Sequence, residues 1–118
     1  MPETDQQVIA SIIKEIDNVS NMMAEKSQTD LEDDLVLERA VCMTLGLIGE
    51  KATKISAEFK ATHNEIPWRK IIALRNRIVH SYEDLDFDII YLTVTGRLPE
   101  FKEQLKAISE TKQTLLPK

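Results

Sequence analysis

Apolar residues return at steps of three and four through most of the chain, the period of an amphipathic helix. Val8, Ile9, Ile12, Ile13, Ile16, Val19 and Met23 define a first helix over roughly residues 4–24. "EKSQTD" reads as a turn, with Asp30 or Thr29 placed to cap the next helix. There Leu31, Leu35, Val41, Cys42, Leu45, Ile48, Ala52, Ile55 and Phe59 keep one face apolar for about thirty residues. "ATHNEIP" is a connector in which His63 is expected to be solvated, and Pro67 opens a third helix running to about Tyr82. The last segment begins near Asp86 and carries Ile89, Ile90, Val94, Leu98, Phe101, Leu105 and Ile108, with Gly96 and Pro99 marking a kink or split. Four helices with short connections predict an all-α antiparallel four-helix bundle. Gly46 and Gly49 weaken the second helix relative to alanine, so they mark a close approach to a neighbouring backbone.

A length of 118 residues suits a single domain over 1–118, with its core at about 5–108 and a short C-terminal tail. With 42% hydrophobic and 30% charged residues, the composition fits a helical globular chain rather than a disordered one. No apolar run approaches a membrane span, and "MPETDQQ" has no basic lead into an apolar stretch, so a cytoplasmic protein with no membrane association is expected. Cys42 is the only cysteine and lies in an apolar pattern, which predicts a buried core thiol. No Cys/His spacing suggests a metal site, and no cofactor is expected.

The net charge of −5 argues against general affinity for nucleic acid. Its distribution is uneven, however. Residues 66–82, "IPWRKIIALRNRIVHSY", hold Arg69, Lys70, Arg75 and Arg77 and no acid, so the remaining 101 residues carry 11 bases against 20 acids. On a helical wheel, Trp68, Ile71, Ile72, Ile78, Val79 and Tyr82 all lie within about 60° of Arg75. A guanidinium in the middle of an apolar stripe requires a carboxylate, a subunit interface or a wet cleft for an anion. Glu38 falls within the apolar face of the second helix and is the candidate ion-pair partner.

His80 is about 140° around the helix from Arg75, so one helix alone makes a poor active site. Asn76 and Arg77 lie beside His80 and give an edge with an imidazole, an amide and a guanidinium. Two protomers packed along this edge about a two-fold axis would bring both copies of Arg75, Asn76 and His80 to one cleft. Imidazole between arginines suits acid–base attack at a phosphodiester, with arginine stabilising the pentavalent phosphate and RNA supplying its own 2′-hydroxyl as nucleophile. No metal is required for that chemistry. A structural reading, with Arg75 simply held by an acid, stays open on spacing alone.

Arg75, His80 and Tyr82 together match the motif RX4HXY, and here the chain resembles the HepT family of HEPN-domain toxins. "LGLIGEKATKIS" is similar to the family's second-helix segment, "IPWRKIIALRN" to its entry into the motif helix, and "DIIYLTVTGRLPEF" to its final helix. The resemblance spans roughly residues 5–108. It implies a HEPN helical bundle that forms a homodimer and acts as a metal-independent endoribonuclease, the toxin of a type VII toxin–antitoxin pair. Arg75 and His80 become the catalytic pair, with Asn76 and Arg77 in support. The implied partners are RNA and an MntA-like nucleotidyltransferase antitoxin that transfers AMP to Tyr82. An adenylate at Tyr82 could fill the cleft and repel an RNA phosphate.

The alternative is a non-catalytic HEPN module that binds a nucleotide or docks a nucleotidyltransferase. Glu83, Asp84, Asp86 and Asp88 fit an RNA cleft less easily. They are read as a solvated loop and as acids favouring a helix N-terminus, with docking to a basic antitoxin face as a further option.

Overall fold

In the computed structural model the backbone is described for residues 3–115 and the side chains for residues 3–109. α1 spans Asp5–Met22 and opens on a reciprocal cap. The Thr4 hydroxyl accepts from the Gln7 amide at 3.1 Å, while the Gln7 side chain accepts from the Thr4 amide at 2.8 Å. Val8, Ile9, Ile12, Ile16 and Val19 are buried, as the spacing predicts.

The second apolar run is not one helix. It is divided into α2 (Gln28–Asp33), α3 (Leu35–Thr53) and α4 (Ala57–Thr62). Asp34 interrupts it because its carboxylate accepts from the Leu37 amide at 3.1 Å, giving the backbone a cap in place of a continuing turn. Ser56 ends the next stretch in the same way, with its hydroxyl accepting from the Phe59 amide at 3.2 Å. Ser27, not Asp30 or Thr29, caps α2, and Asp30 closes the reciprocal bond to the Ser27 amide. Leu31 and Ile55 are nonetheless buried, so the periodicity persists across breaks that interrupt only the backbone.

α5 (Trp68–Ser81) begins after Pro67, and Tyr82–Asp84 tighten into a single 3₁₀ turn. Asp86 then caps α6 (Phe87–Leu92), its carboxylate accepting from the Asp88 amide at 2.8 Å. Thr93–Arg97 widen into a π turn before α7 (Leu98–Leu115), which is the split expected near Gly96–Pro99. Pro99 has no N–H to give the Thr95 carbonyl, and the turn opens so that the Leu98 amide bonds to Thr93 instead. The tail expected after residue 108 is helical to Leu115, and residues 116–118 lie outside the described part.

The main helices run antiparallel. At opposite ends of the α1–α7 contact, Lys102 bonds Asp17 at 2.5 Å and Ser109 approaches Gln6 at 3.5 Å. Asp5 at the start of α1 accepts from the Ser56 amide and hydroxyl, just beyond the end of α3, at 2.9 and 2.7 Å. α3 therefore packs against both α1 and α5, and α7 packs against α1 and meets the start of α5. Trp68 meets Phe101 edge-on at 5.9 Å and its indole N–H donates to the His63 carbonyl at 3.0 Å, fixing the start of α5 against the core. Cys42 is buried, and burial pushes its thiol up to about 11. His63 is half-buried rather than solvated, its ring tilted against that of Phe59 with centroids 4.5 Å apart.

Candidate active site

α3 and α5 pack through one stripe on each. On α5 the inward stripe is Ile71, Arg75 and Ile78, continued by Tyr82 at the start of the following turn, all spaced for one helical face. On α3 it is met by Gly49, Gly46 and Glu38 in reverse order. A Cβ on Gly49 would stand 2.7 Å from both the backbone nitrogen and Cβ of Arg75 and 3.1 Å from the Ile71 carbonyl oxygen. Gly49 thus marks the close backbone approach that its presence predicts, whereas Gly46 faces only the Ile78 side chain, at 3.6 Å.

That approach explains what becomes of Arg75. Its backbone lies on the stripe, yet no space remains between the helices for its side chain, which leaves sideways toward solvent. The guanidinium Nε reaches Glu50 Oε2 at 3.0 Å, and Nη1 donates to Asn76 Oδ1 at 3.1 Å. Arg75 and Glu50 side chains are 40% and 48% exposed, so the pair is a solvated one that orients the cation more than it stabilises the fold.

Glu38 is not the partner of Arg75. Its carboxylate accepts instead from the Tyr82 hydroxyl at 2.5 Å, because antiparallel packing places Tyr82, beyond Arg75 in sequence, against the start of α3, eleven residues before Gly49. The Arg39 guanidinium covers the Tyr82 ring, 5.3 Å from its centroid. Burial, the hydrogen bond to Glu38 and the Glu38 charge together raise the Tyr82 hydroxyl to about 12, against a smaller opposing effect of Arg39.

His80 is exposed on the outward ridge of α5, four residues beyond Asn76. Within one chain the structure therefore joins Arg75, Asn76 and Glu50, and joins Tyr82 to Glu38, while the exposed His80 is bonded to neither group. Arg77 takes the other flank, beside Leu85 and Asp86 in a narrow cleft against α6. Glu83 and Asp84 are exposed in the 3₁₀ turn, and the Asp88 carboxylate accepts from the side-chain amide of Gln28 in α2. Among the described residues, no three His, Cys, Asp or Glu side chains are grouped to hold a metal ion. The sequence reading does not single out Glu50. Its signal is its place one residue after Gly49, at the flank of the closest helix contact.

Beside Arg75 lies an uncovered apolar face. Val36, Met43 and Leu47 share one side of α3, with Val36 79% and Met43 66% exposed, and Val79 of α5 is 57% exposed. A family model described as ribonuclease HepT-like matches residues 12–108, a stretch that contains all of these side chains. The chain belongs to the HepT-like ribonuclease family.

Similar proteins match over nearly the full length. A protein of Caldanaerobacter subterraneus subsp. tengcongensis, provisionally named an RNase, is 29% identical over 106 residues, covering 90% of this chain and 95% of its own. One of Thermococcus cleftensis, provisionally named ribonuclease HepT, is 27% identical over 108 residues, covering 92% and 98%. A provisionally named RNase of Methanocaldococcus jannaschii is 23% identical over 109 residues, covering 92% and 94%. No solved structure matches the chain at comparable significance. No helix among the described residues is long and apolar enough to cross a membrane.

Proposed function

We propose that this HepT-like chain is a metal-independent endoribonuclease that works as a homodimer, with Arg75 and His80 as its catalytic residues. The observation that carries the reading is Arg75 itself, whose guanidinium is turned out of the helix contact and held by Glu50 and Asn76 beside an exposed apolar face. A second copy covering Val36, Met43, Leu47 and Val79 would bury that face and bring the two α5 edges to one cleft. In the cleft, a His80 imidazole takes the proton from an RNA 2′-hydroxyl as the 2′-oxygen bonds to phosphorus. The bond to the 5′-oxygen breaks, and that oxygen takes a proton from an imidazolium. Arg75 stabilises the charge on the pentavalent phosphate, and Asn76 keeps Arg75 in line.

Tyr82 is the proposed AMP acceptor, with an MntA-like nucleotidyltransferase as antitoxin. Its phenol oxygen would bond to the α-phosphorus of ATP, releasing pyrophosphate and passing its proton to Glu38, which already accepts from it, and the adenylate would leave an anion near the cleft. A cytoplasmic toxin–antitoxin pair follows from that reading. The rival is a non-catalytic module that docks the nucleotidyltransferase, favoured by the divergence of Arg75 and His80 within a single chain. Purified protein separates the two. His80→Ala and Arg75→Ala should each abolish RNA cleavage while leaving the helical signal and dimer intact, and full cleavage by either variant refutes the catalytic assignment.

A further inference from the structure

The catalytic reading uses the C-terminal half of α5 and leaves a second group of cations idle at the other end. Arg69 lies seven residues before Asn76 and eleven before His80, on the same outward ridge of α5. Lys70 flanks it, and Lys60 of α4 faces both across an open groove of about 580 Å³. Asn64 also lines the groove, above an apolar floor that includes Ile66 and Pro67. No carboxylate lines it. Glu65 lies near His63 at 3.7 Å and borders, with Glu100, the neighbouring cleft that Lys70 also reaches. Among the described residues, none of Lys60, Arg69 and Lys70 forms a salt bridge.

Three cations from two helices around a groove that no carboxylate lines, in a chain of net charge −5, form a local site for a polyanion, and the apolar floor gives bases a surface to lie on. We infer that this groove holds the flanking strand of a single-stranded RNA substrate, a few nucleotides from the scissile phosphate. The inference rests on the ribonuclease reading above. Arg69 and His80 are separated by a rise of about 16 Å along α5, so a strand following the ridge meets the groove cations before or after it passes the imidazole. The groove would therefore favour longer RNA without taking part in the reaction.

The test compares wild type with the triple variant Lys60→Gln, Arg69→Gln, Lys70→Gln on a labelled single-stranded RNA of about 12 nucleotides and on the dinucleotide UpA. Binding of the longer RNA is measured in a His80→Ala background, so that the strand stays whole. In the triple variant, KM for the longer RNA should rise about tenfold, with kcat and UpA cleavage unchanged. The slope of log affinity against log salt should become shallower by about 2, or roughly 0.7 for each phosphate that is no longer neutralised. Replacing Lys60 and Lys70 by Arg should keep the wild-type slope. Unchanged KM and slope, in a protein that still cleaves through His80, overturn the groove and leave the ribonuclease standing. An equal loss on UpA also overturns it. A wild type that cleaves neither substrate overturns both readings.

Discussion

Two glycines three residues apart in α3 make a direct test of the helix contact that positions Arg75. Gly49→Ala and Gly46→Ala share the same gain in helix propensity, about 1 kcal/mol. They differ in what the new methyl meets. At Gly49 it would lie 2.7 Å from the Arg75 nitrogen and 3.1 Å from the Ile71 carbonyl, both backbone atoms that cannot rotate away. At Gly46 its nearest neighbour is the Ile78 side chain at 3.6 Å, an ordinary contact. The propensity gain cancels in the comparison, leaving the cost of forcing α3 and α5 apart, about 1–3 kcal/mol for overpacking. Gly46→Ala should be as stable as wild type or more so, and Gly49→Ala less stable than Gly46→Ala by that margin. Urea unfolding at one fixed protein concentration measures it, because any dimer makes stability depend on concentration. RNA cleavage should fall with Gly49→Ala alone, since the displaced atoms belong to Arg75. Equal stabilities for the two variants would falsify the close approach and the account of Arg75 built on it.

Three further outcomes follow from the same geometry. Glu50→Ala should cost under about 1 kcal/mol in stability, as expected of a solvated ion pair, yet lower kcat about tenfold by freeing Arg75; an unchanged kcat removes Glu50 as a positioning residue. Met43→Glu with Leu47→Glu should give a folded monomer by sedimentation with little cleavage activity, and a persisting dimer would place the interface elsewhere. Tyr82 should ionise at about 12, late against the ordinary value of 10, in a spectrophotometric titration, and Glu38→Gln should move it back. Because the folded value lies above the unfolded one, the stabilisation from Tyr82 is complete below about pH 10 and is lost as pH rises toward 12. A titration in which Glu38→Gln leaves both tyrosines unchanged would deny the hydrogen bond.

The α-helical period located the main helices, because burying an apolar face is what holds each one in place. It did not reveal the breaks at Asp34 and Ser56, where a side-chain oxygen competes with the next backbone carbonyl while the buried face continues. Gly49 and the π turn before Pro99 were legible, since a missing side chain and a missing N–H each act locally. The exchange of partners was not. A wheel gives the direction of Glu38 and Arg75 about their own axes but not how far one helix slides along the other, and that slide sends Arg75 to Glu50 and Tyr82 to Glu38.

The Tyr82–Glu38 bond also bears on how the protein could be silenced. Any group esterified to the phenol oxygen takes away the proton now shared with Glu38, and a phosphodiester sets its own anion against that carboxylate. The ring would be expelled from beneath Arg39, and the Tyr82–Asp84 turn, whose own contact with the core is the Tyr82 ring, would unwind with it. Silencing at this position would then act as a wedge, prising the end of α5 off its bed instead of merely plugging a hole.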